Sequence, residues 1–129
     1  MRSRTVTAVF PAPRADVFAF LADVDNLPRW ATEFARELRY ENGEAKVVNN
    51  LGEFHFRIEA DAATGVIDMY AGPTNEDMAI FPTRVIELPG DTSAYSFTMF
   101  QGPGMPDDLF ESQHASLERE FDNIRQVFA

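Results

Sequence analysis

The sequence predicts an α+β fold in which a curved antiparallel sheet wraps around a long C-terminal helix. Three observations carry that expectation. Between Asp107 and Ala129, the residues Phe110, His114, Leu117, Phe121, Ile124 and Phe128 recur at alternating steps of four and three, which puts them on one helical face. Glu111, Glu118, Arg119, Asp122 and Arg125 fall on the other faces. From Arg39 to Gln101, runs rich in β-branched and aromatic residues alternate in polarity between turn signals, as half-buried strands do. Helical patterning elsewhere is confined to a short stretch after the first strand. A helix this long must lay its stripe on something, so the sheet is expected to grip it. The histidine in an otherwise apolar stripe predicts a pocket between helix and sheet.

The elements follow in order. Thr5 to Phe10 alternates and reads as a strand, broken by Pro11-Ala12-Pro13. Pro13 suits a helix start, and Asp16 in the first turn favours the helix dipole. Val17, Phe18, Leu21 and Val24 form a helical stripe that Asp25-Asn26-Leu27-Pro28 ends. Trp30, Phe34 and Leu38 predict a second short helix running into an extended segment at Arg39 to Glu41. Asn42-Gly43 is a hairpin turn signal before a strand at Ala45 to Asn49. Asn50-Leu51-Gly52 turns the chain into Glu53 to Ala60, where Phe54, Phe56 and Ile58 alternate with His55, Arg57 and Glu59. After a turn at Asp61 to Gly65, Val66 to Ala71 reads as a strand and Gly72 to Asn75 as the next turn. Asp77 to Leu88 is a long strand with a bulge expected at Pro82. Pro89-Gly90-Asp91 leads to the last strand, Thr92 to Gln101, with Tyr95, Phe97, Met99 and Gln101 on one face. A stiff loop, Gly102 to Pro106, enters the final helix, where Asp108 and Glu111 have capping-box spacing.

The chain of 129 residues fits one domain over residues 1–129, long enough for a real core. Twelve phenylalanines against one tryptophan and three tyrosines predict a strongly apolar core or cavity. A net charge of −10 argues against a nucleic-acid partner, which needs a basic face, and against anionic membrane surfaces. The absence of cysteine excludes disulfides, thiolate catalysis and cysteine-based metal sites. Two histidines are too few for a His-rich metal centre, and the only lysine, Lys46, sits in an expected exposed strand. No metal and no cofactor is expected. The N-terminus does not read as a signal peptide, and no apolar run approaches membrane-spanning length, so a cytoplasmic protein is expected.

Two stretches resemble the START, or SRPBCC, superfamily. One runs through Phe10-Pro-Ala-Pro-Arg14, Val17-Phe-Ala-Phe-Leu-Ala-Asp23 and Asn26-Leu-Pro-Arg-Trp30, similar to that group's opening strand, first helix and tryptophan-bearing second helix. The other runs from Arg84-Val-Ile through Tyr95-Ser-Phe into the Asp107–Ala129 helix. The match covers nearly the whole chain and is nearest the polyketide cyclase/dehydrase-like group. The resemblance implies a helix-grip fold with a cavity between sheet and last helix, and a small hydrophobic molecule (lipid, polyketide or aromatic metabolite) as partner. It leaves open a polyketide cyclase or aromatase-type enzyme, and a protein-interaction module.

Ten residues are the expected ligand contacts. His114 lies on the helix face turned to the sheet, where an imidazole can hydrogen-bond a ligand or move a proton near neutral pH. Tyr95 offers a phenol on the Phe97–Met99 face, and Gln113 a further polar group at the mouth. Arg84 needs a carboxylate or an anionic ligand if it points inward, although Phe81, Thr83 and Val85 make the opposite face apolar too. Phe54, Phe56, Phe97, Met99, Phe110 and Leu117 supply the apolar wall. Asp68 alternates with Val66 and Tyr70 and is expected to face solvent; the inverted facing would make it a buried acid and a catalytic candidate. The row His55, Arg57 and Glu59 is expected to face solvent.

Overall fold

A computed structural model describes every residue from Met1 to Ala129. The chain opens with strand β1 (Ser3–Phe10), helix α1 (Arg14–Leu21), a single 3₁₀ turn at Val24–Asn26 and helix α2 (Leu27–Trp30). Six strands follow: β2 (Glu37–Glu41), β3 (Glu44–Asn49), β4 (Gly52–Asp61), β5 (Val66–Thr74), β6 (Asp77–Leu88) and β7 (Thr92–Phe100). Helix α3 (Asp107–Val127) closes the chain. All seven strands form one curved antiparallel sheet in the order β1-β7-β6-β5-β4-β3-β2. No helix is long and apolar enough to cross a membrane.

Period-two patterning sets the faces of the sheet. Val6, Ala8 and Phe10 of β1 are buried, while Thr5, Thr7 and Val9 between them are exposed. Val85 pairs with Tyr95 and Thr83 with Phe97, so these four share the inner face and all are buried. Arg84, one residue off that parity, is exposed on the outer face. α3 spans 21 residues, about 31 Å at 1.5 Å per residue, and crosses the concave side with Phe110, Leu117, Phe121 and Ile124 buried against the sheet. Phe121 stacks on Tyr95 with ring centroids 5.5 Å apart and meets Phe97 edge-on at 6.4 Å.

The turns show why register is fixed. Asn42 and Gly43 both have positive φ, 52° and 79°, as a two-residue hairpin loop demands, and Glu41 pairs directly with Glu44. β5 and β6 lose register between Ala71 and Thr74. At that break the Asp77 carbonyl approaches Gly72 so closely that a Cβ there would stand 1.9 Å from it, so only glycine fits.

Four local expectations are corrected. The turn expected at Gly72 to Asn75 is strand as far as Thr74, and the chain reverses at Asn75-Glu76. No bulge occurs at Pro82, which pairs in register with Asp68. The ladder to β7 begins one residue later, at Thr83, so Pro82 has no donor to supply on that side. The second helix is one turn, Leu27–Trp30, with Pro28 in its first turn rather than ending the preceding helix. Phe34 lies in a loop and Leu38 in β2. That loop does not continue helically because its backbone groups are taken sideways. The N–H groups of Glu33 and Phe34 donate to Glu120, and the Phe34 carbonyl accepts from Asn49. Finally, α3 has no side-chain cap. It starts after Pro106, which offers neither a side-chain acceptor nor an N–H for a reciprocal carboxylate, and Glu111 instead engages Arg2 and Arg4.

Candidate functional site

A cavity of about 410 Å³ opens between α3, the loop after α2 and the β3–β4 turn. Its floor is the inner face of the sheet: Phe56 of β4, Met69 of β5, Phe81 of β6, and Phe97 and Met99 of β7. Leu27, Trp30 and Phe34 form one wall. The helix supplies the roof through Leu109, Gln113, Ser116, Leu117 and Glu120. Asn50, Leu51 and Arg36 stand at the rim. These are alternating positions on four neighbouring strands, so period-two patterning alone gathers the aromatic floor.

Glu120 is the outstanding group. It is 4% exposed, and its Oε2 accepts from the backbone N–H groups of Glu33 at 3.1 Å and Phe34 at 3.0 Å. Burial pushes its carboxyl up to about 7, against the opposing pull of those two hydrogen bonds. The neighbouring Glu33 differs because it has partners. Arg119 donates to both of its oxygens, at 3.0 and 2.7 Å, and Ser116 donates to Oε1 at 2.6 Å. Those hydrogen bonds, Arg119 first, hold Glu33 below the usual carboxylate range. Asn123 completes the attachment of this segment, its Nδ2 donating to the Trp30 carbonyl at 2.9 Å.

The ten residues expected from sequence divide into three groups. Phe56, Phe97, Met99, Gln113 and Leu117 line the cavity. Tyr95 and Phe110 are wholly buried and do not reach it. Tyr95 is packed edge-on against Trp30 at 6.4 Å, and its hydroxyl has no hydrogen-bond partner. Burial raises that phenol above its ordinary range, and the Thr83 hydroxyl donates to the Ile67 carbonyl rather than to it. Phe110 is covered on its other side by the Arg2 guanidinium, 5.3 Å from the ring centre. Phe54, His114 and Arg84 lie outside the cavity. Phe54 is half-buried, and Arg84 points out from the opposite face of the sheet. His114 is half-buried on α3, with Nε2 3.4 Å from Glu118 Oε1. Its neighbour Gln113, about 100° around the helix, faces the cavity instead. Asp68 sits on the outer parity of β5, between buried Ile67 and Met69.

Sequence reasoning missed Glu120, Ser116 and Leu109 of the roof, and Phe81 and Met69 of the floor. One signal was available. Leu109, Gln113, Ser116 and Glu120 are spaced by four, three and four, a second row beside the apolar stripe.

No protein-family model matches the chain, and no curated protein matches it in sequence. Solved structures do match in shape. A START superfamily protein from Mycobacterium smegmatis superposes with a TM-score of 0.70 at 12% identity, over 98% of this chain and 96% of that one. The Zhui aromatase/cyclase from Streptomyces sp. R1128 gives 0.66 at 20% identity, over 97% and 89%. Ara h 8.0201 gives 0.63 at 17% identity, over 98% and 97%. The chain has the helix-grip fold that these structures share. At these identities the likeness is one of fold, and chemistry has to be argued from the cavity itself.

Proposed function

We propose that this START-like protein binds a small, largely apolar molecule in the cavity between its sheet and α3. The single observation that carries the reading is the cavity: about 410 Å³, with 12 of its 21 lining residues hydrophobic and a floor of Phe56, Phe81, Phe97, Met69 and Met99, the polar groups coming from α3, the loop after α2 and the β3–β4 turn. Small-molecule sites run to about 300–1,000 Å³ and share that mixture of an apolar wall and sparse polar groups. Affinity would come from burying the apolar body of the ligand, at about 25 cal/mol per Å² before the entropic cost of association. Gln113, Ser116 and Glu120 would orient it from the helix. The aromatase-type alternative needs a His, Tyr or acid to move protons; His114 and Tyr95 both lie off the cavity, which leaves the buried acid Glu120 as its candidate.

Trp30 is the only tryptophan, and it lines the cavity. Titration with the neutral dye N-phenyl-1-naphthylamine is expected to saturate at one dye per chain, with energy transfer from Trp30 rising in step. Calorimetric saturation without any change in Trp30 emission would count against this cavity as the site. No saturable binding would count against the function.

A further inference from the structure

We infer that the cavity selects an organic cation: a small apolar or aromatic molecule carrying one protonated amine, seated on Glu120 Oε1. The inference rests on the reading that the cavity takes an apolar ligand, and adds to it the chemistry of the polar end.

The starting point is a buried carboxylate without a counter-charge. Glu120 is 4% exposed, yet no Arg, Lys or His lies within ion-pair distance of it. A buried charge is normally paired, because leaving water costs it several kcal/mol. Here Oε2 is held by the Glu33 and Phe34 N–H groups, while Oε1 has no protein partner and Glu120 forms part of the cavity roof. The charged groups nearest the site do not fill that role. Arg119, on the same helix, also lines the cavity, as does Glu33 on the facing loop, but the two neutralise one another: Arg119 is committed to both oxygens of Glu33. Arg36, also on that loop, is exposed at the rim. From β3 and its turn come only the neutral Asn49 and Asn50, and the sheet opposite is apolar. Burial raises the Glu120 carboxyl and the nearby Glu33 charge adds to that, while the two loop N–H groups and the more distant Arg119 charge offset it only in part.

An ammonium group supplies what is missing. Its N–H donates to Oε1, and the ionised carboxylate becomes the favoured form. The rest of the site suits a cation. Trp30, Phe34, Phe56, Phe81 and Phe97 surround the space with aromatic rings, whose faces attract positive charge. A net charge of −10 draws cations toward the molecule and repels anions. A carboxylate or sulfonate ligand would meet repulsion from Glu120, and a neutral acceptor would require Glu120 to keep its proton.

The test is calorimetry with two ligands of nearly equal shape, 1-naphthylmethylamine and 1-naphthylmethanol. At about pH 8.5, where Glu120 is ionised and the amine still substantially protonated, the amine should bind at least about tenfold more tightly, one charge-assisted hydrogen bond's worth. Glu120→Gln, which keeps an acceptor for the loop N–H groups, should shrink that preference to about twofold or less. A second measurement uses the native chain alone, so it holds even if the variant fails to fold. At about pH 6, amine binding should release a proton from Glu120 to the buffer, seen as a binding heat that depends on the buffer's ionisation enthalpy, and the alcohol should release none. Equal affinities, a preference that survives Glu120→Gln, or the absence of proton release would each overturn the proposal. Binding of N-phenyl-1-naphthylamine with neither naphthyl ligand binding would overturn it while leaving the apolar cavity standing. If that dye fails as well, the cavity reading falls and takes the cation with it.

Discussion

Glu120 should make the protein less stable as pH rises through the neutral range. Its carboxyl titrates near an ordinary 4.5 when solvated and at about 7 in the folded chain. At about 1.36 kcal/mol for each pH unit between those values, folding disfavours the ionised form by roughly 3 kcal/mol. The folded state holds the proton more tightly, so between about pH 4.5 and 7 it carries more protons than the unfolded chain. Stability must therefore fall across that window, and the loss is complete above it. Glu33 works in the other direction. Arg119 and Ser116 hold its carboxyl down, so its contribution is present above the ordinary carboxylate range and lost as pH falls. Comparing wild type with Glu120→Gln cancels that group and every other one the two proteins share. Glutamine cannot titrate, but its carbonyl oxygen still accepts from the Glu33 and Phe34 N–H groups. The measurement is urea unfolding followed by Trp30 fluorescence at about pH 5 and pH 8, and the stability of wild type relative to the variant should fall by about 2–3 kcal/mol between them. A difference that is the same at both pH values would refute the burial argument.

Two further outcomes follow from the geometry. His114→Ala should leave dye affinity within about twofold of wild type, because His114 does not line the cavity; a loss of tenfold or more in a binding titration would show that it reaches the ligand. Gly65→Ala should destabilise the fold by about 2 kcal/mol or more, since φ is +81° there and a Cβ would stand 2.2 Å from the Val85 carbonyl oxygen, whereas Gly43→Ala, with φ +79° and open space around it, should cost only about 1 kcal/mol in the same denaturation assay.

The order of elements along the chain and the grip of α3 were legible in the sequence because both depend on local periodicity. A period of two puts Tyr95, Phe97 and Met99 on one face whatever the partner strands are, and Asn42-Gly43 dictates a tight hairpin on its own. Arg84 was not legible. The residues on both sides of its strand are apolar, and only pairing with Tyr95 and Phe97 shows which row is inside. The second helix failed for a related reason. Trp30, Phe34 and Leu38 have helical spacing, but the backbone donors of Glu33 and Phe34 are satisfied by a side chain 86 or 87 positions away. Glu120 itself reads as one more surface charge in a chain with twenty-one acidic residues. Its burial is created by the loop that folds over it.

That loop explains why the cavity lies to one side of the apolar stripe, which contributes only Leu117 to its lining. Ser116, Arg119, Glu120 and Asn123 are spaced by three, one and three, so they form a polar row along one side of α3. Each engages the segment from Trp30 to Phe34: Ser116 and Arg119 through the Glu33 carboxylate, Glu120 through two N–H groups, Asn123 through the Trp30 carbonyl. The apolar row holds the helix to the sheet, and the polar row holds the loop to the helix. Close packing under the first row fills the space beneath Phe121 and Ile124, which are wholly buried. Open space survives beside that row, bounded by the loop, the second row and the Phe56, Phe81 and Phe97 rings, with Phe34 of the loop packed edge-on against Phe56 at 5.9 Å. A hydrophobic residue at position 120 would satisfy the core pattern but leave the Glu33 and Phe34 donors without their acceptor. The local rule against burying an acid is broken at the one place where the loop needs an anchor, and the two N–H groups that Glu120 accepts from are what the exception supplies.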